Sequence, residues 1–585
     1  DVPPLERPKA FTKYTGTNYP ITALAIKELQ AYFKKLETTV LARDKRKRPN
    51  SSPATPNSAQ NETKKAQNRR SMLAPNLIRT LSSEAVSIQT PEISSKELVC
   101  DTEIGRGVHG SVYVGKCRGK VVAIKKLFNL EDDKVAAEEF RKEVAIMIHA
   151  RHPNIVLYMG ACTTPGNLAI VTEYIARGNL EQIIYAGGLT FQRKLNFAKQ
   201  IAQGMNWLHR SKPQIIHRDL KPSNILVGDN WTVKICDFGL SQILRRSKHL
   251  HDEEFAPGTP LWMAPEVMLG KPLNEKVDVY SYAIVVWEML TQQEPFKHLP
   301  KVRDVVEAVT QRGERPSLQL IENEHMEALL QAGWDEDPAE RPSFEDVISY
   351  LERVTIYTHL SGDIAEMWAE HWLGKNSVDF DELVYNFEQL FESPIPERQK
   401  SALKLILHVT PGNKVHIARL GLVLKWFGPA VHDSGATFVT NAYKIMKHTW
   451  FHGDITMAEA AERLSARPRG SFLIRVSHSN PDEYPFSIAK VSKTGIVDAR
   501  ILKSVEDGKA KYNIVAETKA GKTTYSSDSI QSLLSKQSKA RKRTGLATPC
   551  PGSKYSRHFS SKPDVDAPPN ALMYIPMVDE DSFCM

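Results

Sequence analysis

The nine residues Ile216-His-Arg-Asp-Leu-Lys-Pro-Ser-Asn224 constrain this chain more than any other stretch of it. They set a carboxylate (Asp219), an ammonium (Lys221) and a carboxamide (Asn224) within six positions. Asp219 is suited to accept a hydroxyl proton, Lys221 to neutralise charge on a transferred phosphate, and Asn224 to hold a metal ion. Cys236-Asp-Phe-Gly239 follows and adds Asp237 as a second metal ligand, and Ala264-Pro-Glu266 closes a segment of about thirty residues. Phosphoryl transfer asks chiefly for positioning and for cations set against developing negative charge, and this ordered set supplies both.

Upstream stands Ile104-Gly-Arg-Gly-Val-His-Gly-Ser-Val112. Gly105, Gly107 and Gly110 let backbone amides approach phosphate oxygens where side chains would clash. Dinucleotide folds use the same Gly-x-Gly-x-x-Gly spacing but continue into a helix. Here Val112, Tyr113 and Val114 continue as a strand, which favours a hairpin lying over phosphates. The nucleotide is expected under Ile104, Gly105, Arg106, Gly107, Val108, His109, Gly110 and Val112. Lys125, at the end of Val122-Ala-Ile-Lys125, comes fifteen residues after Gly110 and is placed to reach the phosphates. It needs an acid to hold it. Residues 133–149 read as an amphipathic helix with Glu138, Glu139 and Glu143, and Glu143, beside Val144, Ile146 and Met147, is the expected partner.

A second constellation begins at Trp450-Phe-His-Gly-Asp-Ile-Thr456 and ends in Gly470-Ser-Phe-Leu-Ile-Arg-Val-Ser477. Strand alternation puts Phe472 and Ile474 on one face and Leu473 with Arg475 on the other. An arginine on a mostly apolar face needs an anion, because an unpaired buried charge is costly. Guanidinium takes phosphate in a bidentate manner. Ser477 and Ser479 stand ready to donate beside it.

The 585 residues predict about three to five units at roughly 100–200 residues each. Residues 22–40 have helical apolar spacing, within an N-terminal segment 1–43. Residues 44–95 are polar and basic with few aromatics and read as a disordered linker. A strand-then-helix pattern fills 96–356, an aromatic-rich helical linker 357–449, a mixed segment 450–551, and a Pro-, Ser- and Asp-rich flexible tail 552–585. The chain opens on Asp1, which reads as a fragment or a processed end. Six cysteines without a Cys-x-x-Cys pair suit a reducing cytosolic or nuclear compartment. The longest apolar run, near Ala283–Leu290, falls far short of the roughly 20 residues of a membrane helix.

The net charge of +9 is concentrated. Residues 41–80 hold ten Lys/Arg against Asp44 and Glu62, and residues 535–560 hold seven with no acid, so the remainder is mildly acidic. No nucleic-acid partner is expected from charge held in two short stretches. Transient contact with anionic lipid is the functional reading, at roughly 1 kcal/mol per basic residue near the surface. Plain solubilising charge is the simpler one.

Residues 96–356 resemble a eukaryotic protein-kinase domain, with every catalytic motif present and in order. The resemblance implies ATP and Mg2+ as cofactors and protein substrates, with Asp219 and Lys221 at the transfer, Lys125 paired to Glu143, and Asn224 and Asp237 on metal. It makes Thr172 the gatekeeper and Glu173 to Ile175 the adenine hinge. Asp278 would organise the catalytic loop and Arg341 pair with Glu266. Lys221 and Ser223, with Thr259 in Gly258-Thr-Pro-Leu-Trp-Met-Ala-Pro-Glu266, resemble the Ser/Thr pattern. Asp278-Val-Tyr-Ser-Tyr-Ala-Ile-Val-Val-Trp-Glu288 resembles the tyrosine-kinase-like branch, so Ser/Thr activity with some tyrosine activity is expected. Arg218, beside Asp219, implies control by an anion from the activation loop, either phosphorylated Ser247 or the acids Asp252, Glu253 and Glu254.

Residues 450–551 resemble a Src-homology-2 (SH2) domain in which Arg475 and Ser477 bind phosphotyrosine proteins. Met457 stands where a second arginine is common and Ala499 where a pocket histidine is common; Arg500 or Lys503 would compensate. The expected architecture is a bilobal α+β kinase fold, a helical linker and an α+β SH2 domain between a disordered N-terminal linker and tail. Kinase first and SH2 second resembles the SH2-domain kinases of amoebae. That implies a cytoplasmic signalling enzyme, peripheral at the plasma membrane, in chemotaxis, phagocytosis or actin control. The motifs set no oligomeric state. Tyr574-Ile-Pro-Met577, if phosphorylated, would dock a partner or the chain's own pocket. Asp379, Asp381 and Glu382 lack the Gly-centred spacing of a calcium loop.

Overall fold

The computed structural model describes residues 92–106, 110–127, 140, 144, 147–148, 150–164, 166–212, 214–237, 259–428, 437–506, 509–518, 521–535 and 537–559. These divide into two compact units, with the boundary in the sequence between Leu351 and Glu352. The N-terminal helical segment, most of the basic linker and Tyr574 to Met577 lie outside the described residues.

In the first unit, β1 (Leu98–Arg106), β2 (Gly110–Cys117), β3 (Lys120–Leu127), β4 (Tyr158–Cys162) and β5 (Ala169–Glu173) form an antiparallel sheet in the order β1-β2-β3-β5-β4. Alternation divides its two faces. Val122, Ile124 and Val171 are fully buried in a cluster with Ile93, Cys117 and Cys162. The registers Val112↔Lys125, Val114↔Ala123 and Ala123↔Thr172 put the other set on the opposite face. Ile93 corrects the expected linker boundary: it is buried in that cluster, Glu92 bridges to Ala161, and Ser94 caps the following turn.

The helical part of this unit holds α1 (Leu180–Ala186), α2 (Phe191–Arg210), α3 (Pro265–Met268), α4 (Lys276–Thr291), α5 (Val302–Gln311), α6 (Glu324–Gly333) and α7 (Phe344–His359), which runs on into the second unit. A two-stranded ribbon, β6 (Ile225–Val227) with β7 (Val233–Ile235), carries the motif residues on its flanks. Helix α4 is buried on every face from Val277 to Met289, which makes it the internal post of the lobe. Tyr282 on α4 donates to the Ala198 carbonyl of α2 at 3.0 Å. Arg341 forks both terminal nitrogens onto Glu266, at 2.6 and 2.9 Å, and its Nε onto the Asp335 carbonyl.

The second unit continues through α8 (Gly362–Trp372), β8 (Ser377–Asp379), α9 (Phe380–Leu390), α10 (Glu397–Ile406), β9 (Lys414–His416), α11 (Ile417–Phe427) and α12 (Thr437–Met446). Strands β8 and β9 pair antiparallel. The sheet that follows runs β10 (Phe451–Gly453), β11 (Ser471–Val476), β12 (Phe486–Ser492), β13 (Gly495–Glu506), β14 (Lys509–Thr518) and β15 (Gly521–Ser527) in sequential order, with β16 (Thr548–Pro549) beside β11. Around it lie α13 (Met457–Leu464), whose start carries a Thr456/Glu459 capping box, α14 (Ile530–Leu533), α15 (Lys539–Thr544) and α16 (Lys554–Phe559).

Three expectations about this unit change. The helical stretch is not a spacer: Trp368, Phe387, Trp426 and Phe427 belong to one continuous core with Phe451, Phe472, Ile474 and Phe486 of the sheet. The folded chain does not end at residue 551, because Tyr555 on α16 is fully buried against Phe451. A Cβ on Gly453, whose φ is +70°, would stand 2.1 Å from the Tyr555 ring. And the basic cluster is not all surface. Arg541 is buried, stacks 5.2 Å over Phe472 and donates to the carbonyls of Leu534, Leu546 and Ala547. Among the described residues no helix is long and apolar enough to cross a membrane.

Candidate functional site

The catalytic loop is held from below by one carboxylate. Asp278 is fully buried on α4 and accepts the backbone N–H of His217 at 2.8 Å and of Arg218 at 2.7 Å, while His209 Nε2 lies 2.8 Å from it. His217 bridges onward, with Nδ1 accepting from the Asp219 N–H and Nε2 meeting the Cys236 carbonyl at 3.0 Å. These contacts hold Arg218 at φ 65° and Asp237 at φ 60°, left-handed conformations that cost non-glycine residues about 1–3 kcal/mol each.

On that frame the expected residues converge. Lys221 Nζ sits 3.0 Å from Asp219 Oδ2. The Asn224 amide nitrogen donates to the Asp219 carbonyl and carboxylate at 2.8 and 2.9 Å. With the amide nitrogen committed to Asp219, the Asn224 side-chain oxygen is the atom a hard cation would take. Lys125 forms an ion pair with Asp237. Desolvation alone would raise the Asp237 carboxyl; the Lys125 ammonium outweighs it and holds that carboxyl below its ordinary range. Burial pushes the neighbouring Cys236 thiol well up, so it stays protonated at neutral pH.

The sheet supplies a roof and a back wall. By register Lys125, Ala123, Val112, Val114 and Thr172 share a face. Ile104 is 51% exposed on β1, Val112 is half-buried, and exposed Arg106 lies 4.0 Å from Glu103. The glycines have unequal reasons. Among the described residues a Cβ on Gly105 would meet nothing nearer than Val112 at 3.9 Å, whereas one on Gly110 would meet the Lys126 carbonyl at 2.1 Å. Gly110 is therefore required by the β2–β3 approach itself. Glu173 is not aimed at a ligand, since its carboxylate takes Lys234 and the Leu157 N–H. Ile175 follows β5, half-buried. Leu226 is half-buried between fully buried Ile225 and Val227. Gly107, Val108, His109, Glu143 and Ser247 lie outside the described residues, and of Thr259 the backbone alone is described, in a turn to Trp262.

In the second unit Arg475 pairs across the sheet with Ser487, and Ser487 with Arg500, so the three share one face. Leu473, Ala489 and Asp498 form the next row of that face. Arg475 Nη2 lies 3.0 Å from Asp498 Oδ2, both groups more than four-fifths buried. Ser477 is buried and donates to the Ser479 carbonyl; Ser479 Oγ in turn accepts from Arg500, which lies over the Tyr484 ring. Two expectations are corrected. Ala499 does not face the pocket: it opposes Ile488 on the core side, and Asp498 occupies the pocket row instead. By the same alternation Arg500 shares the face of Arg475 and Lys503 does not. Met457 is 52% exposed at the start of α13.

The loop after Ser477 is gripped by the helical half of the same unit. Trp426 Nε1 donates to the Ser477 carbonyl at 2.8 Å. Arg419 ion-pairs with Asp454, which also bonds His478, and Lys425 lies 3.1 Å from Asp482. Asp379 caps α9 and accepts from Asn413, a structural use.

Comparison with known proteins agrees with this geometry. Residues 98–351 match the family model described as protein tyrosine and serine/threonine kinase, and residues 450–533 match that of the SH2 domain. The dual specificity protein kinase shkC of Dictyostelium discoideum is 39% identical over 427 residues, 70% of this chain and 84% of its own length. The dual specificity protein kinase shkA of the same organism is 38% identical over 495 residues, 80% of this chain and 90% of its own. The serine/threonine-protein kinase CTR1 of Arabidopsis thaliana is 44% identical over 253 residues, 43% of this chain and 30% of its own.

Proposed function

The chain belongs to the protein kinases that carry a C-terminal SH2 domain, and on that premise we propose an ATP- and Mg2+-dependent Ser/Thr kinase with tyrosine activity as well, directed by its SH2 domain to phosphotyrosine proteins. The observation that carries this reading is the Asp219–Lys221–Asn224 triangle, fixed from beneath by Asp278. Asp219 accepts the proton of the substrate hydroxyl. Asn224 orients that carboxylate, and Lys221 stands where charge on the transferred group is neutralised. Asn224 and Asp237 would hold the metal and Lys125 the nucleotide phosphates. When bound, Mg-ATP supplies the phosphoryl group and the cation that offsets its charge.

Dual specificity is supported by the names of the Dictyostelium relatives, and the Ser/Thr preference by Lys221 and Ser223. Phosphoamino-acid analysis of a mixed substrate labelled by the wild-type chain and by Asp219→Asn tests both. Labelled Ser, Thr and Tyr, all lost in the variant, are expected. No transfer by the wild type would leave a phosphotyrosine-binding adaptor.

Control is proposed to pass through Arg218 and an anion of the 238–258 segment, with phosphorylated Ser247 the first candidate. Full activity of Ser247→Ala would remove it. We further place the protein in the cytoplasm, brought to the plasma membrane by phosphotyrosine proteins and assisted by exposed Lys539, Lys542 and Arg543. Equal sedimentation of wild type and the triple alanine variant with phosphatidylserine vesicles would count against the lipid part. The amoebal resemblance points to chemotaxis, phagocytosis or actin control as the setting. Loss of the gene without effect on any of these would discard that setting.

A further inference from the structure

Where β11, β12 and β13 pair, the pocket face carries three charged groups. Arg475 and Arg500 are the cations, and Asp498 is the acid set among them. The phosphotyrosine pocket thus contains a carboxylate of its own, already engaged with the guanidinium that the phosphate needs. Arg475 gives Nη2 to Asp498 Oδ2 at 3.0 Å. Arg475 Nε and Asp498 Oδ1 are buried and have no hydrogen-bond partner among the described residues. The pair is therefore single-pronged: it holds the arginine but satisfies only part of it, whereas phosphate offers a guanidinium two parallel acceptors.

We propose that Asp498 is a built-in competitor of phosphotyrosine, which gates the pocket and sets its affinity and selectivity. The proposal rests on the SH2 reading of this unit and deepens it. The competition has two parts. An entering phosphate must release Arg475 from Asp498, and it must then lie beside a carboxylate of the same sign. Like charges side by side in a half-buried site are repulsive. Arg500 offsets part of that repulsion from the row of Arg475. A monoanion suffers less than a dianion in such a pocket, so the carboxylate discriminates by ligand charge as well as by shape. Weak intrinsic binding of this kind suits a module whose ligands are met at high local concentration.

The full-length protein tests this with O-phosphotyrosine and with a phosphotyrosine peptide as probes, titrated by calorimetry against wild type, Asp498→Asn, Asp498→Ser and Arg475→Ala. Thermal denaturation without ligand shows which variants are folded. Asp498→Asn keeps the shape and removes the charge, and Asp498→Ser is the second variant in case the amide does not fold. The expected result is binding tightened roughly tenfold or more in both Asp498 variants and abolished in Arg475→Ala. Unchanged or weaker binding in the Asp498 variants, with Arg475→Ala still abolishing it, would overturn the competitor role and leave the pocket standing. No binding by wild type or either Asp498 variant, all folded, would overturn the proposal and the pocket reading together.

Discussion

Trp426 of α11 donates its indole N–H to the backbone carbonyl of Ser477, 2.8 Å away and 51 residues along the chain. This joins the helical half of the second unit to Ser477, which opens the loop after β11. The same helix sends Arg419 to Asp454 and Lys425 to Asp482, so the loop is braced at three points. The helical stretch is consequently packed as part of the same unit as the SH2 sheet.

Trp426→Phe removes that donor and strands a buried carbonyl, at about 1–3 kcal/mol. The second unit is expected to melt earlier, and phosphopeptide affinity to fall by roughly three- to tenfold because the Ser477 loop loses a brace. Catalysis on a generic substrate is the control and stays at the wild-type rate. Thermal denaturation, peptide titration and a kinase assay on one preparation check all three.

Asp278 touches no substrate, yet two amides of the catalytic loop end on it. Asp278→Asn keeps the volume but exchanges an acceptor oxygen for a donor, so one of those N–H groups faces another N–H. Displacement of Asp219 by even an ångström costs on the order of 10²-fold. We expect kcat to fall by about that factor and nucleotide KM to change little. A steady-state comparison separates this from nucleotide loss, which would raise KM first.

How legible all this was depended on what each residue answers to. Asp219, Lys221, Asn224 and Asp237 are bound by local spacing, so their convergence followed from the chain order. The Arg341–Glu266 pair was legible because the motif fixed one partner and the resemblance the other. Burial of the helical stretch was not, because its apolar stripe looks the same whether it covers a neighbour or a bundle of its own. What decided it was a long-range match of Trp426 and Phe427 to Phe451 and Phe486. Asp498 was missed for a smaller reason. A one-residue offset in β13 exchanges faces, and placing the pocket position at Ala499 hid the acid behind it. Arg541 was read as surface charge because composition cannot say that three carbonyls wait for it.

Arg341→Met tests the buried fork. Glu266 and Arg341 are both nearly inaccessible, so removing the cation leaves an unpaired buried carboxylate and costs about 3–5 kcal/mol. The first unit should melt markedly earlier, while Arg341→Met with Glu266→Leu recovers part of the loss, because no charge is then left buried. A single variant as stable as wild type in thermal denaturation would contradict the pairing.

The second unit is also expected to lose stability on mild acidification. Burial, helped by neighbouring Arg419 and Lys554, pushes the His408 imidazole down to about 3, and its Nε2 faces the Arg419 guanidinium 3.0 Å away, which favours a neutral ring. Burial, with His416 and Lys425 nearby, likewise pushes His359 down to about 4. Unfolded, both titrate near 6.5. The unfolded chain therefore binds more protons below that value, and stability present above pH 6.5 drains away as pH falls, by up to about 1.4 kcal/mol per pH unit for each ring. Asp454 and His478 also face His408. The Asp454 carboxyl would be raised by burial, but its bonds from His478 and Arg419 hold it far below the usual range, so its own contribution is lost only under more acidic conditions than pH 5. Melting curves of the full chain between pH 7.5 and 5 should show the second unit falling below about pH 6.5, and His408→Gln, which keeps a neutral acceptor and cannot charge, should reduce that slope, with His359 and His448, which burial also lowers, carrying the rest. An identical slope in that variant would remove His408 from the account.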